Sequence, residues 1–149
     1  KLKPLDQADN FMLKAVYDTN IIVSAALHKD RLPASLLSLA LKGKVKLFVS
    51  DQLLQEYEGV LKRPKFKLGE KEIEDLIKLI KEKAIRVKPA MRLTRIKKDL
   101  ADIRVLECAL EAKVDFIVTG NKKHFPFERF YKIKVVNPRE FATYFMIGK

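Results

Sequence analysis

Two short acidic motifs stand out in a chain of 149 residues whose formal net charge is +12. One is Val16-Tyr17-Asp18-Thr19-Asn20; the other, Asp99-Leu100-Ala101-Asp102, heads the apolar run from Ile103 to Ala112. Carboxylates set where burial is expected need compensation, and a bound cation supplies it. Hard divalent ions such as Mg²⁺ and Mn²⁺ prefer oxygen ligands, need few protein carboxylates and keep waters free for chemistry. Thirty-one Lys and Arg against nineteen Asp and Glu favour a polyanionic partner, nucleic acid above all, and argue against a carrier of small anions. A solvated Lys- and Glu-rich surface explains the 34% charged residues but not the positive excess. Together the two motifs and the charge point to a metal-dependent nuclease.

The elements that must position these acids read as alternating strands and helices. Met12 to Tyr17 is an expected strand ending at Asp18, followed by the apolar run Ile21 to Leu27 and a helical segment from Ala34 to Leu41 that Gly43 stops. Leu47 to Val49 is a short buried strand, Ser50 an N-cap for a helix from Asp51 to Leu61, and Pro64 its end. Gly69 to Ala84 is a clear amphipathic helix: Ile73, Leu76, Ile77, Ile80 and Ala84 line one face, with acids early and lysines late to suit the helix dipole. Ile85 to Val87 reads as a strand, then a basic loop runs to Lys98 before the helix Leu100 to Ala112. Phe116 to Thr119 and Lys134 to Val136 are further strands. Asn137-Pro138-Arg139-Glu140 has an N-cap, Pro in the first turn and Glu three after the cap.

This alternation implies an α/β fold with a parallel sheet covered on both faces. Residues 12–149 are expected to form one domain, with Met12 the natural start and residues 1–11 an upstream or artificial extension. The 48% apolar fraction is enough for a core. The lone Cys108 falls inside a helical pattern and reads as a small core hydrophobe of a reducing compartment. No apolar run approaches the ~20 uncharged residues of a membrane span, and no signal-type core is present, so a cytoplasmic protein without a membrane partner is expected.

In open parallel sheets, ligands gather at the carboxyl ends of the strands, so Asp18 and the Thr119-Gly120-Asn121 turn are expected to share one crevice. Asp18 reads equally as a helix N-cap, and Asn20 as a turn residue or a hydrogen-bond partner of a ligand. On the helix after Lys98, at about 100° per residue, Arg104, Glu107 and Glu111 fall on one side while Leu106, Ala109 and Leu110 share the other with Asp99 and Asp102. Capping explains Asp99, but it leaves Asp102 above a buried stripe. A third acid from the helix Asp51 to Leu61 is either Glu56 or Glu58, which sit at opposite edges of its apolar stripe, and periodicity does not choose between them.

These residues resemble the PIN-domain ribonucleases, in particular the VapC-like toxin components of toxin–antitoxin systems. The matching stretches are Tyr17-Asp18-Thr19-Asn20-Ile21-Ile22-Val23-Ser24-Ala25, Val49-Ser50-Asp51-Gln52-Leu53-Leu54-Gln55-Glu56-Tyr57 with the following Val60 to Phe66, Asp99-Leu100-Ala101-Asp102 leading into Leu106 to Leu110, and Asp115-Phe116-Ile117-Val118-Thr119-Gly120-Asn121-Lys122-Lys123-His124-Phe125-Pro126. They occur in the family's order from Met12 to about Phe141. The resemblance implies a three-layer α/β/α sandwich with a central, mainly parallel sheet. It also implies an acidic pocket that binds Mg²⁺ or Mn²⁺ and hydrolyses RNA. By position, Asp18, Glu56 and Asp102 are the metal-binding and catalytic acids, so Glu56 is preferred over Glu58. Asp99 takes an outer role, and Thr119 a hydroxyl position near the pocket. An acidic antitoxin and self-association are the partners implied.

Asn121 departs from the fourth Asp that many such nucleases carry; an amide offers an oxygen or a hydrogen bond but one less negative charge for a second metal. Leu100 and Ala101 likewise replace the proline and acid often found between the two aspartates. Arg63, Lys65, Lys122 and Lys123, with Lys67, Arg92, Arg95 and Lys97, are candidates for tracking an RNA backbone, although each alone reads as a solvated charge. The rival readings are a catalytically weakened RNA-binding or scaffold protein of the same fold and an Asp-x-Asp phosphatase, which Asn20 disfavours by standing where the second Asp is needed. His28 and His124 fit no metal spacing and read as surface or hydrogen-bonded residues. No Gly-rich phosphate loop implies a nucleotide cofactor.

Overall fold

A computed structural model describes residues 12–93, 100–125 and 129–147; the expected extension, residues 1–11, and Asp99, Arg95 and Lys97 lie outside the described residues. In chain order the strands are β1 (Lys14–Tyr17), β2 (Lys46–Val49), β3 (Ile85–Arg86), β4 (Phe116–Val118), β5 (Arg129–Phe130) and β6 (Ile133–Val136). The helices are α1 (Thr19–Leu27), α2 (Leu32–Leu41), α3 (Asp51–Leu61), α4 (Glu70–Lys83), α5 (Leu100–Ala112) and α6 (Pro138–Ile147). Among the described residues the strands form one sheet in the order β3-β2-β1-β4-β6-β5, parallel throughout except for β5, which pairs antiparallel with β6 at the edge.

The central strands are buried over consecutive residues rather than alternately, as strands covered on both faces must be. The face carrying Tyr17 and Phe116 packs edge-on against Phe141 of α6, and the Tyr17 hydroxyl donates to the Leu36 carbonyl of α2 at 2.9 Å. α5 packs across β1, β2 and β4 to complete a three-layer α/β/α sandwich. α4 buries Ile73, Ile77 and Ile80 as its periodicity predicts, each such side chain contributing about 1.5–3 kcal/mol.

Local chemistry explains most boundaries. Ser50 accepts from Leu53 N at 3.0 Å and starts α3. Gly43, at φ 78, takes the left-handed position that closes α2, with Lys44 N reaching Leu39 O at 2.8 Å and Gly43 N reaching Ala40 O at 3.1 Å. Asn137 and Glu140 cap each other's backbone N–H groups at 2.8 Å, which fixes the start of α6. Three expectations are corrected. α2 begins at Leu32 rather than Ala34, because Pro33 suits the first helical turn. α1 begins at Thr19, two residues before the apolar run from Ile21, because Asp18 caps it there, as one of its two readings had it. β5 was not expected, since a two-residue edge strand carries no alternation to read.

A fourth correction concerns α5. Glu107, expected on its solvent side, is 3% exposed. The segment after β3 lies over it: Leu93 N donates to Glu107 Oε2 and Ala90 N to Glu111 Oε1, both at 2.9 Å, while Arg104 Nη1 stands 3.4 Å from Glu107 Oε1. Among the described residues no helix is long and apolar enough to cross a membrane.

Candidate metal centre

Register brings the two turns together. Ala15, Val16 and Tyr17 pair with Phe116, Ile117 and Val118, so the residues that leave the strands side by side are Asp18 and Thr119. Asp18 N donates to Val118 O at 2.9 Å, and Thr119 N to Val136 O at 2.9 Å. The Asp18 carboxylate is both cap and pocket group: Oδ1 accepts from Thr19 N at 2.8 Å, while Oδ2 accepts from Thr119 Oγ1 at 2.8 Å and Asn20 Nδ2 at 3.2 Å. Its burial raises its pKa above the ordinary carboxylate value, and the Thr119 and Thr19 hydrogen bonds and the nearby His124 pull it partly back.

Asn20 ties the turns to each other. Its Nδ2 stands 3.4 Å from Thr119 Oγ1, and its Oδ1 accepts from Gly120 N at 2.9 Å. Gly120 permits this approach, since a Cβ there would meet Asn20 Oδ1 at 3.3 Å. Behind them, Tyr57 of α3 is fully buried and donates to the Tyr17 carbonyl, which anchors α3 to the end of β1.

A cavity of about 300 Å³ opens at this point, lined by Asp18, Thr19, Glu56, Arg63, Asp102 and His124 among others. Asp102, in the first turn of α5, is buried, and its Oδ1 lies 3.8 Å from His124 Nδ1. Asp18, Asp102 and His124 each offer a ligand atom within 4.8 Å of the others. Glu56 is half-buried on the cavity wall but is not one of that close group. Glu58 instead pairs with Lys62 at 3.2 Å and is not among the residues lining the cavity.

His124 is the residue that sequence reasoning set aside. A 3₁₀ turn, Lys122–His124, follows Asn121 and folds the imidazole back toward Asp102; no sequence spacing encodes that return. Asn121, expected beside the ligands, faces its own turn: Oδ1 accepts from Lys123 N at 3.2 Å and Nδ2 lies 3.2 Å from His124 Nε2. Thr119 reaches the site through Asp18. Of the basic candidates, Arg63 lines the cavity, Lys65 is exposed over the Phe66 ring at 5.2 Å, and Lys123 is exposed. Lys122 pairs with Glu140 at 3.2 Å and walls a separate cavity of about 490 Å³ with Lys134 and Arg139. Cys108 is buried and its thiol pKa is pushed up to about 12, which suits a core residue and not a nucleophile.

The donor set fits a divalent cation: two buried carboxylates, a third on the wall and an imidazole. A second observation agrees. The Thr19 hydroxyl, on a residue lining the cavity, is the one buried side-chain polar atom without a hydrogen-bond partner among the described residues, and a cation's water would satisfy it.

The family model described as PIN domain matches residues 14–123. The chain is 25% identical over 152 residues to the uncharacterized protein MJ1680 of Methanocaldococcus jannaschii, covering 95% of this chain and 97% of that protein. Among solved structures it is similar to VapBC2 from Rickettsia felis, crystallised with a DNA fragment from their promoter. The TM-score is 0.58 at 18% identity, over 84% of this chain and 98% of that one. At that identity the likeness is one of fold.

Proposed function

The chain belongs to the PIN domain family, and on that premise we propose that it is a divalent-metal-dependent endoribonuclease that hydrolyses RNA phosphodiester bonds. The observation that carries this reading is the meeting of Asp18 and Asp102, buried carboxylates from distant turns, in one cavity of a strongly basic chain. Ionised carboxylates held there are costly without a counter-charge. Asp18, Glu56 and Asp102 are the proposed ligands of Mg²⁺ or Mn²⁺. The cation supplies an acidified water and neutralises charge on the scissile phosphate. The chain's own groups do the positioning: Thr119 and Asn20 hold the outer oxygen of Asp18, and Arg63 carries a fixed positive charge to the cavity wall for the phosphate backbone. Arg63, Lys65 and Lys123 are proposed to track the RNA beyond the reacting bond. Asp99 keeps its proposed outer role.

The test is cleavage of a single-stranded RNA with added Mn²⁺ or Mg²⁺. Cleavage should stop with chelator and fall about 100-fold or more in Asp18→Asn, at or beyond the upper end of what loss of a ligand-supporting group costs. Cleavage that persists in chelator overturns the reading.

One observation favours a second reading. Asn121 contributes no charge, and its oxygen already caps its own turn, so the pocket is poorer in negative charge than a four-acid site. A protein of this kind would bind RNA without cleaving it at saturating Mn²⁺. The biological role we assign is that of a cytoplasmic toxin of a toxin–antitoxin pair, self-associating and held by an acidic antitoxin. The resemblance to toxin components supports it, and so does the shared fold with the VapBC2 assembly. Co-expression with the product of an adjacent small gene tests it: the pair should purify as a complex that no longer cleaves RNA.

A further inference from the structure

We propose that His124 is a metal ligand and that its imidazole makes the cavity prefer a first-row transition ion such as Mn²⁺ over Mg²⁺. This rests on the metal-site reading and adds to it a nitrogen donor. Asp18 and Asp102 come from turns that the sheet brings together, whereas His124 arrives from the 3₁₀ turn that follows Asn121. Its Nδ1 lies 3.8 Å from Asp102 Oδ1. With metal–ligand bonds of about 2.1 Å, adjacent ligands of one ion stand about 3 Å apart and opposite ligands about 4.2 Å, so the observed separation lies within the span of a single coordination sphere.

Ligand chemistry decides which ion that sphere favours. Mg²⁺ takes oxygen ligands and gives up its waters reluctantly, whereas imidazole suits the first-row ions from Fe²⁺ to Zn²⁺ best, and Mn²⁺, which shares oxygen ligands with Mg²⁺, stands at the weak end of that row and gains modestly from a nitrogen donor. The charge balance agrees: Asp18, Glu56 and Asp102 supply the anionic donors, and the imidazole adds a donor without adding charge. Asn121 Nδ2 lies 3.2 Å from Nε2 and the Asn121 oxygen is taken by Lys123 N, so in a ring that binds through Nδ1 the Nε2–H would turn to solvent at the exposed edge of the imidazole.

The experiment uses the full chain without a polyhistidine tag, stripped of metal and loaded with Mn²⁺. The chain has two histidines, and His28 caps α1 away from the cavity, so pulsed electron paramagnetic resonance reads the assignment directly. Imidazole ¹⁴N coupling should appear in the unmodified chain and in His28→Gln and vanish in His124→Gln. In calorimetric titrations, the ratio of Mn²⁺ to Mg²⁺ affinity should fall ~10-fold or more in His124→Gln. Mn²⁺ bound stoichiometrically with no imidazole coupling, or an unchanged affinity ratio, overturns the His124 assignment and leaves the carboxylate site standing. No stoichiometric Mn²⁺, or binding that survives in Asp18→Asn, overturns the underlying metal reading as well.

Discussion

The Asp18 carboxylate accepts three hydrogen bonds in a buried turn, and its raised pKa makes its charge a cost to the metal-free fold. A carboxyl whose folded pKa lies above its unfolded value of 3.8 stabilises the fold fully below that value and loses that contribution as pH rises through the folded one. Urea melts in chelator should therefore show the stability of the unmodified chain, relative to Asp18→Asn, declining as pH rises above the unfolded value of 3.8 and through the raised folded one. A flat difference would contradict the burial account. Asn20→Ala removes the clamp between the two turns and should weaken Mn²⁺ binding by about 10–100-fold with the fold intact, read by calorimetry and circular dichroism. Legibility at this scale followed the physics. Asp18 and Asp102 could be read because a strand end and a buried helix face are written in local periodicity. His124 could not, because its place depends on a turn direction, and the periodicity of α3 left Glu56 and Glu58 equivalent because it does not show that Glu58 pairs with Lys62 one turn along.

Segments 88–93 and helix α5 form a unit in which two glutamates, one helical turn apart, receive backbone N–H groups from an otherwise irregular strap. Glu107→Ala would leave Leu93 N–H without its partner and should cost about 1–3 kcal/mol of stability. Hydrogen exchange should quicken in the strap before the central strands, and equal protection in the variant would contradict this account. The periodicity of α5 misjudged Glu107 because a helical wheel knows only its own helix and not the segment laid across it. The cap of α6 was readable in full, since Asn137 and Glu140 recognise each other within one turn. β3 was readable as the run Ile85 to Val87, whereas β5, with two residues, is too short for any period to register and pairs with β6 just after it in the chain.

At the scale of the whole molecule, the net charge of +12 should make the proposed RNA binding salt-dependent, with log K falling by about 0.7 per phosphate neutralised for each unit of log salt. Arg63→Ala should lower that slope by about 0.7, while Lys122→Ala, already paired with Glu140, should leave it nearly unchanged; filter binding across a salt series measures both. The sheet order carries a consequence in time as well as space. Asp18 hangs by its backbone from Val118, and Thr119 beside it hangs from Val136. Every acid of the pocket is synthesised before Val136 is, yet the turn that orients Asp18 has no supporting edge until β6 has been added. A chain that ends short of Val136 thus carries every acid of the pocket without the strand that holds the Thr119 turn.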